Sequence, residues 1–341
     1  MNRSFASDNN APVAPEILKA IAAANKVDAP AYGSDEWTAR AKQRFRDQFG
    51  PETDAYFGFN GTGANVAVLA SLLRPWEAVL CPETAHLQTD ECGAFERFSG
   101  SKVIPIPTQD GKLRPADLEP YLKPVDVHFP QPRIVSISQA TEYGGVYELN
   151  ELRALCGYAH ERGLYVHVDG ARLSNAAAAL GVSLKVMTAG IDLLSFGGTK
   201  NGLMYGEAFC FLKPALGGTT APFVQKQAMQ LASKMRYIAA QFDALLTRDL
   251  WKRYAGRANA MTKRLEERVR AIDGIRITRP VRCNAIFATM DRSAIERAQR
   301  DYAFLVWDER LPEVRWMTHW ATTEDDVDAF AAALERAVFP K

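Results

Sequence analysis

Three polar groups stand where an α/β chain places its chemistry. Lys200 follows the apolar run "IDLLSF" (191–196) across Gly197, Gly198 and Thr199. A lysine held against the end of a buried strand loses solvation. Its pKa falls, and its amine becomes a nucleophile for a carbonyl. Asp169 closes the next strand upstream, in "LYVHVDGAR" (164–172). A carboxylate ending a buried strand is costly unless it is partnered. Two partners are open to it: Arg172, as a structural ion pair, or the cationic ring nitrogen of a ligand. The third group is "NGTGAN" (60–65), between the strand "AYFGF" (55–59) and a helical run. There the free N–H groups at the helix start, the helix dipole and the Thr62 hydroxyl favour an anion such as phosphate. The stretch is neither GxGxxG nor a Walker loop, so nicotinamide and ATP lack support. His86 follows "AVLCP" (78–82), and Gln139 with "TEYGG" follows "RIVSIS" (133–138). A phosphate cradle, a carboxylate for a ring nitrogen and a lysine for a Schiff base are together what pyridoxal 5'-phosphate requires.

The elements that must position these groups alternate. Short apolar strands and amphipathic helices succeed one another from residue 55 to 196, which predicts a mostly parallel sheet covered by helices on both faces. Active sites of such sheets gather at the carboxyl ends of the strands, where the polar groups above fall. Pro15 opens a helix over 15–25. Trp37, Ala41, Phe45 and Phe49 form an apolar stripe that Gly50 ends. "LQTDECGAFERF" (87–98) and "SNAAAALGVSLKVMTAG" (174–190) each suggest a helical stretch. In "NELRALCGYAHERG" (150–163), Asn150 is the expected N-cap and Gly163 the stop. "GEAFCFL" (206–212) is an additional strand with no evident partner. Helical patterns over 224–270 are interrupted at Gly256, and an α+β pattern follows, with a capping box at Thr323 and Asp326. The division expected is a large domain over 1–250 and a smaller C-terminal α+β domain over 251–341.

Composition excludes several classes. The chain has 341 residues, 47% hydrophobic and 24% charged, with net charge +1, so it lacks the basic footprint of a nucleic-acid binder. No apolar run approaches the ~20 residues that span a bilayer, and the N-terminus has no leader-like apolar core. The five cysteines are scattered, with no CxxC pair, which fits a reducing compartment and suggests neither a disulfide frame nor a zinc site. A cytoplasmic location is expected.

The chain resembles the low-specificity L-threonine aldolases of the β-eliminating lyase group, within the fold-type-I pyridoxal-phosphate enzymes. The resemblance runs nearly end to end, through "FASDN" (5–9), "YGSD" (32–35), "NGTGAN", "ETAH" (83–86), "DVHF" (126–129), "HVDGAR", Lys200 and "VRWMTH" (314–319). It implies a seven-stranded-type sheet and a set of roles. Lys200 would carry the covalent link, Asp169 would pair with the ring nitrogen, and Gly61 and Thr62 would hold the phosphate. His86 would stack on the ring and serve as a base, with His128 a second candidate near the substrate hydroxyl. Ser7, Arg172 and Arg315 would bind the substrate carboxylate, with Arg172 also near the cofactor. Tyr32 and Arg236 would reach the site of a neighbouring subunit, in a homo-oligomer built as a dimer of dimers. The activity implied is cleavage of L-threonine, L-allo-threonine or phenylserine to glycine and an aldehyde. The same Lys200 and Asp169 would also serve β-elimination or transamination, and a non-catalytic phosphate-ligand protein is the alternative from another class. Two departures from the family pattern stand out: Glu142 and Tyr143 where a histidine is common, and "LASKM" before Arg236 where a glycine-rich segment is common.

Overall fold

The computed structural model describes residues 2–122, 125–213 and 216–340. Seven strands build the main sheet: β1 (Asp54–Gly58), β2 (Glu77–Pro82), β3 (Lys102–Ile106), β4 (Gln131–Ser138), β5 (Tyr165–Gly170), β6 (Leu193–Gly197) and β7 (Glu207–Phe211). Their order is β1-β7-β6-β5-β4-β2-β3. Strands β2 to β6 run parallel to one another, and β7 is antiparallel to both its neighbours. The run "GEAFCFL" thus finds its partners: it lies between β6 and β1, buried at every position of β7. A second, antiparallel sheet has the order β10-β11-β9-β8, from β8 (Arg276–Ile277), β9 (Ala285–Thr289), β10 (Leu305–Asp308) and β11 (Glu313–Met317).

The main sheet is apolar on both faces because helices cover both. Phe45 and Phe49 of the helix Glu36–Phe49 pack edge-on against Phe196 of β6, and Phe45 also meets Phe242 of the helix Arg236–Leu246. On the other face, the helix Gly61–Ala70 buries Val66 and Leu69 in a cluster with Val79, Ile134 and Phe209. The second sheet has its own core, centred on Trp316, Phe330 and Phe5, in which Phe5 stacks on Phe330 with ring centroids 4.0 Å apart. Among the described residues no helix is long and apolar enough to cross a membrane.

Several local expectations change. The stretch 87–98 forms two short helices, His86–Thr89 and Ala94–Ser99, because Cys92 (φ 53°) and Gly93 (φ 66°) turn the chain left-handed between them. The stretch 174–190 likewise divides, at Gly181 (φ 68°), and Ser183 caps the second piece by accepting from Val186 N–H. Asn150 is not an N-cap. Glu148 is, in a reciprocal box with Glu151 that satisfies two otherwise orphaned donors. Gly256 does not break its helix, which runs unbroken over Leu250–Val269. The interruptions fall at 228–235 and at Arg248 and Asp249, which both have positive φ. A lone glycine costs a helix about 1 kcal/mol, which the buried Trp251, Tyr254 and Leu265 of the same helix outweigh.

Candidate active site

The carboxyl ends of β1, β2, β4, β5 and β6 converge on one region. A cavity of about 260 Å³ is lined there by Asn60, Gly61, Thr62, His86, Asp169, Lys200, Tyr205 and Glu207, among others. A second recess of about 60 Å³ shares Gly61, His86, Asp169 and Lys200 with it, and adds Glu142 and Arg172.

Asn60 opens the helix Gly61–Ala70 by accepting from Gly63 N–H at 2.8 Å. That leaves the first-turn N–H groups of Gly61 and Thr62 at the cavity wall, outside the helix's own bonding pattern. A Cβ on Gly61 would meet nothing within 4 Å, whereas one on Gly63 would lie 2.2 Å from Gln230 Cδ. Gln230 also accepts from Phe59 N–H at 2.8 Å, so its side chain braces the turn from behind.

Asp169 has its first oxygen on the Ala171 N–H (3.0 Å) and its second on the Asn65 amide (2.9 Å). Burial works to raise its carboxyl, but these bonds and the charge of Lys200 outweigh it, so Asp169 is held below the usual carboxylate range. Its partner is not Arg172. That guanidinium is bidentate to Asp8, Nε and Nη2 each at 2.8 Å. The structural-pair alternative for Asp169 is thereby removed, and the ionised carboxylate is left for a cation.

Asn65 continues the network. Its Nδ2 reaches Glu91 Oε1 at 2.8 Å, and the same oxygen lies 2.9 Å from His86 Nδ1. That bond raises the His86 pKa against the opposing effect of burial. Beneath Asp169, His167 bridges two neighbouring strands, Nδ1 to Ser136 Oγ at 2.8 Å and Nε2 to Ser195 Oγ at 3.2 Å. Burial pulls His167 down to about 4, so it is neutral at physiological pH.

Lys200 sits on the 3₁₀ turn Thr199–Asn201 after β6. Burial lowers its pKa, and Arg172 lowers it further, against Asp8, Asp169 and Glu207. Glu207, on β7, accepts from Gly198 N–H at 2.9 Å and is raised to about 7 by burial. Gly197 and Gly198 are required by space: a Cβ on Gly197 would lie 2.4 Å from Ala171 O, and one on Gly198 2.7 Å from Gly206 O.

Arg315, on β11, stands over Trp307, 5.0 Å from the ring centroid, and its Nη2 donates to Ala6 O at 3.3 Å. Its Nε is buried with no partner among the described residues. Burial and then the Arg172 charge lower its pKa to about 10. Ser7 caps the short turn Asp8–Asn10, accepting from Asn9 N–H at 3.2 Å, and lies between Ala6 and Asp8 in the chain.

One expected residue stands elsewhere, and two expected at a neighbouring copy's site lie off this one. His128 lies three positions before β4, at the opposite end of that strand from Asp169, with 82% of its side chain exposed and its Nδ1 2.8 Å from Asp126. Eight strand residues separate the two ends, on the order of 25 Å, so His128 does not reach Lys200 of its own chain. Tyr32 and Arg236 also lie off the Lys200 cavity. Tyr32 lines a separate recess with Lys42, Tyr56 and Met235. Arg236 Nη2 meets Tyr237 Oη at 3.3 Å, and its Nε is buried without a partner among the described residues.

Sequence reasoning passed over Asp8, Asn65, Glu91, His167, Glu207 and Gln230. Two of them carry a readable signal. Asn65 is one turn into the helix whose first turn holds Gly61 and Thr62, and His167 shares a strand face with Asp169 two positions on. Glu207 and Gln230 carry none: the contact of Glu207 with Gly198 N–H depends on how β6 and β7 pair, and that of Gln230 with Phe59 N–H spans 171 positions.

The chain matches the model of the beta-eliminating lyase family over residues 4–293. It is 44% identical to a low specificity L-threonine aldolase of Pseudomonas aeruginosa, over 92% of this chain and 95% of that protein. A second such aldolase, from a Pseudomonas species, is also 44% identical, over 99% and 98%. The structure superposes on that of a Leishmania major threonine aldolase with a TM-score of 0.93 at 32% identity, covering 98% and 99% of the two chains. An aspartate aminotransferase of Thermus thermophilus matches at TM-score 0.68 and 16% identity, which relates the fold alone. The chain has the fold-type-I architecture and belongs to the beta-eliminating lyase family, in its low-specificity L-threonine aldolase group.

Proposed function

We propose that this protein is a pyridoxal-phosphate-dependent aldehyde-lyase. It would cleave β-hydroxy-α-amino acids, with L-threonine, L-allo-threonine and phenylserine the first substrates to test, to glycine and an aldehyde. The observation that carries the reading is the meeting of Lys200, Asp169 and the N-terminus of the helix Gly61–Ala70 on one cavity. The residues fit the cofactor: first-turn N–H groups for the phosphate, an ionised carboxylate free of Arg172 for the ring nitrogen, and an amine with a depressed pKa for the carbonyl.

Bound pyridoxal phosphate supplies a protonated ring that accepts the electron pair released when a bond to the substrate Cα breaks. The protein's own groups do the rest. Asp169, held ionised by Asn65 and Ala171, keeps the proton on the ring nitrogen. Lys200 would hold the cofactor until the substrate amine takes its place. His86, oriented by Glu91, would provide a flat face for the ring. Arg315 offers its unpartnered Nε to the substrate carboxylate, supported by the positive charge of Arg172. Fixing that carboxylate would set the orientation of the Cα bonds, and hence which bond breaks.

Residues 1–250 form the cofactor-binding unit in this reading, and residues 251–341 a smaller unit that brings Arg315. Tyr32 and Arg236 stand off the Lys200 cavity of their own chain, as residues that serve a neighbouring copy's site would in a dimer of dimers. The free cysteines support a reducing, cytoplasmic setting.

The test is product analysis on purified holoenzyme. Glycine with acetaldehyde from threonine or allo-threonine, or with benzaldehyde from phenylserine, is the expected result. Protein that holds the cofactor yet releases no glycine overturns the reading, and ammonia with a keto acid assigns β-elimination instead.

A further inference from the structure

We propose that Glu142 is the proton acceptor for the β-hydroxyl of the substrate. The assignment rests on the aldolase reading above and gives one of its proton transfers to a named atom.

Glu142 follows the carboxyl end of β4, on the recess that also holds His86, Asp169, Arg172 and Lys200. Its Oε1 is fully engaged, accepting from Ser138 Oγ–H at 2.5 Å and from the His86 backbone N–H at 3.1 Å. Its Oε2 is buried with no hydrogen-bond partner among the described residues. A buried carboxylate oxygen without a donor is costly, and such an atom needs a reason to persist. A substrate hydroxyl would supply the missing donor.

Two other carboxylates border the recess. Asp169 has both oxygens engaged, by Ala171 and Asn65. Glu91 has a free Oε2 as well, but its side chain has no exposed surface, whereas Glu142 is only half-buried as a residue and so keeps part of its surface open. Glu142 therefore combines a free oxygen with a place beside the groups that would hold the substrate. With the substrate amine tied where Lys200 stands and its carboxylate drawn to Arg315 and Arg172, the Cβ hydroxyl needs an acceptor on the remaining wall.

The groups facing Glu142 are Cys81 from β2, the His86 backbone, Tyr147, Asp169 from β5 and Arg172. Burial lifts the carboxyl to about 6, with the Asp169 charge adding to the rise and the Ser138 bond opposing it. Because Oε1 already accepts two hydrogen bonds, a proton taken up by Glu142 resides on Oε2. At neutral pH the group is ionised, with a basicity near that of the medium, where a general base works best. In the step itself the substrate O–H bond breaks and its proton passes to Oε2. The oxygen's electron pair becomes the aldehyde C=O bond, and Cα–Cβ breaks. Bound pyridoxal phosphate would take up the pair from that bond. Return of a proton to Cα completes glycine.

The experiment compares wild-type and Glu142→Gln holoenzyme in four measurements: cofactor affinity, exchange of the glycine α-hydrogen in D₂O, cleavage kinetics against pH, and the titration of ¹³C-carboxyl-labelled glutamate by NMR. Glycine has no β-hydroxyl, so its exchange tests the site without the step assigned to Glu142. Expected is a fall in cleavage kcat of about 100-fold or more, with cofactor affinity and glycine exchange retained. The acidic limb near pH 6 should vanish from the variant's profile, together with the carboxyl signal that titrates there. A variant within about threefold of wild-type kcat overturns the assignment. So does a parallel loss of cofactor affinity and glycine exchange, which would make Glu142 a structural support. Wild-type enzyme that releases no glycine from any β-hydroxy amino acid overturns the aldolase reading, and this assignment with it.

Discussion

Burial acts in opposite directions on Lys200 and Asp169: it disfavours the charged form of each, yet only the lysine ends displaced toward its neutral form. The difference is hydrogen bonding, since Asp169 accepts from Asn65 and Ala171. Lys200→Ala should therefore abolish turnover and the covalent cofactor link, read by borohydride trapping and mass spectrometry. Asn65→Ala should free both Asp169 and Glu91 of a donor. A carboxylate bond to a neutral donor is worth about 1.5–3 kcal/mol, so the variant should hold the cofactor about tenfold or more weakly, measured by absorbance titration. Asp8 gives a pH prediction. Burial alone would raise its carboxyl, but the Arg172 fork, the Lys200 charge and the Asn284 amide hold it at about 2. The folded value lies below the unfolded one, so its stabilisation is complete above about pH 4 and is lost as pH falls through about 2. Full ionisation contributes about 2 kcal/mol. Denaturant melts should show the gap between wild type and Asp8→Asn narrowing over that window.

One turn decides where a site element begins. The helix Gly61–Ala70 starts at Asn60, and Gln230 occupies the space behind Gly63. Gly63→Ala should destabilise the protein by about 1–3 kcal/mol through overpacking, with weakened cofactor binding because the turn proposed to hold the phosphate must shift. Adding Gln230→Ala should recover part of the loss, a non-additivity that a double-mutant cycle measures. The turn was legible in "NGTGAN", but the reason for its second glycine was not. That glycine faces a side chain 167 positions away rather than the ligand. The same limit explains the helix stretches misjudged at 87–98 and 174–190. Apolar periodicity continues across Cys92 and Gly181, and the left-handed backbone at those points depends on where the next element must go.

At the scale of the whole molecule, the N-terminal segment connects the second sheet to the catalytic recess. Phe5 N–H donates to Ala303 O, and Phe5 O accepts from Met317 N–H, so the segment lies along β11. Phe5 is fully buried against Phe330, and three residues on Asp8 closes the Arg172 fork. Phe5→Ala should cost about 3–5 kcal/mol and raise KM for the amino acid, since Asp8, Ser7 and the Ala6 carbonyl that anchors Arg315 lose their support. Thermal melts and steady-state kinetics on one preparation check both effects.

The sequence by itself determined the alternating α/β pattern, the order of the strand ends and the residue types placed on them. These depend on local periodicity and on the chemistry of Lys200, Asp169 and "NGTGAN", which a linear reading exposes. Only the tertiary structure decided the partners. It gave Arg172 to Asp8 rather than to Asp169, hung His86 on Glu91, and left Glu142 with one engaged and one free oxygen. It also placed His128 at the far end of β4 from the lysine. The physical reason is that a buried charge is matched by whatever group the fold brings within hydrogen-bond distance, and that group can come from anywhere in the chain.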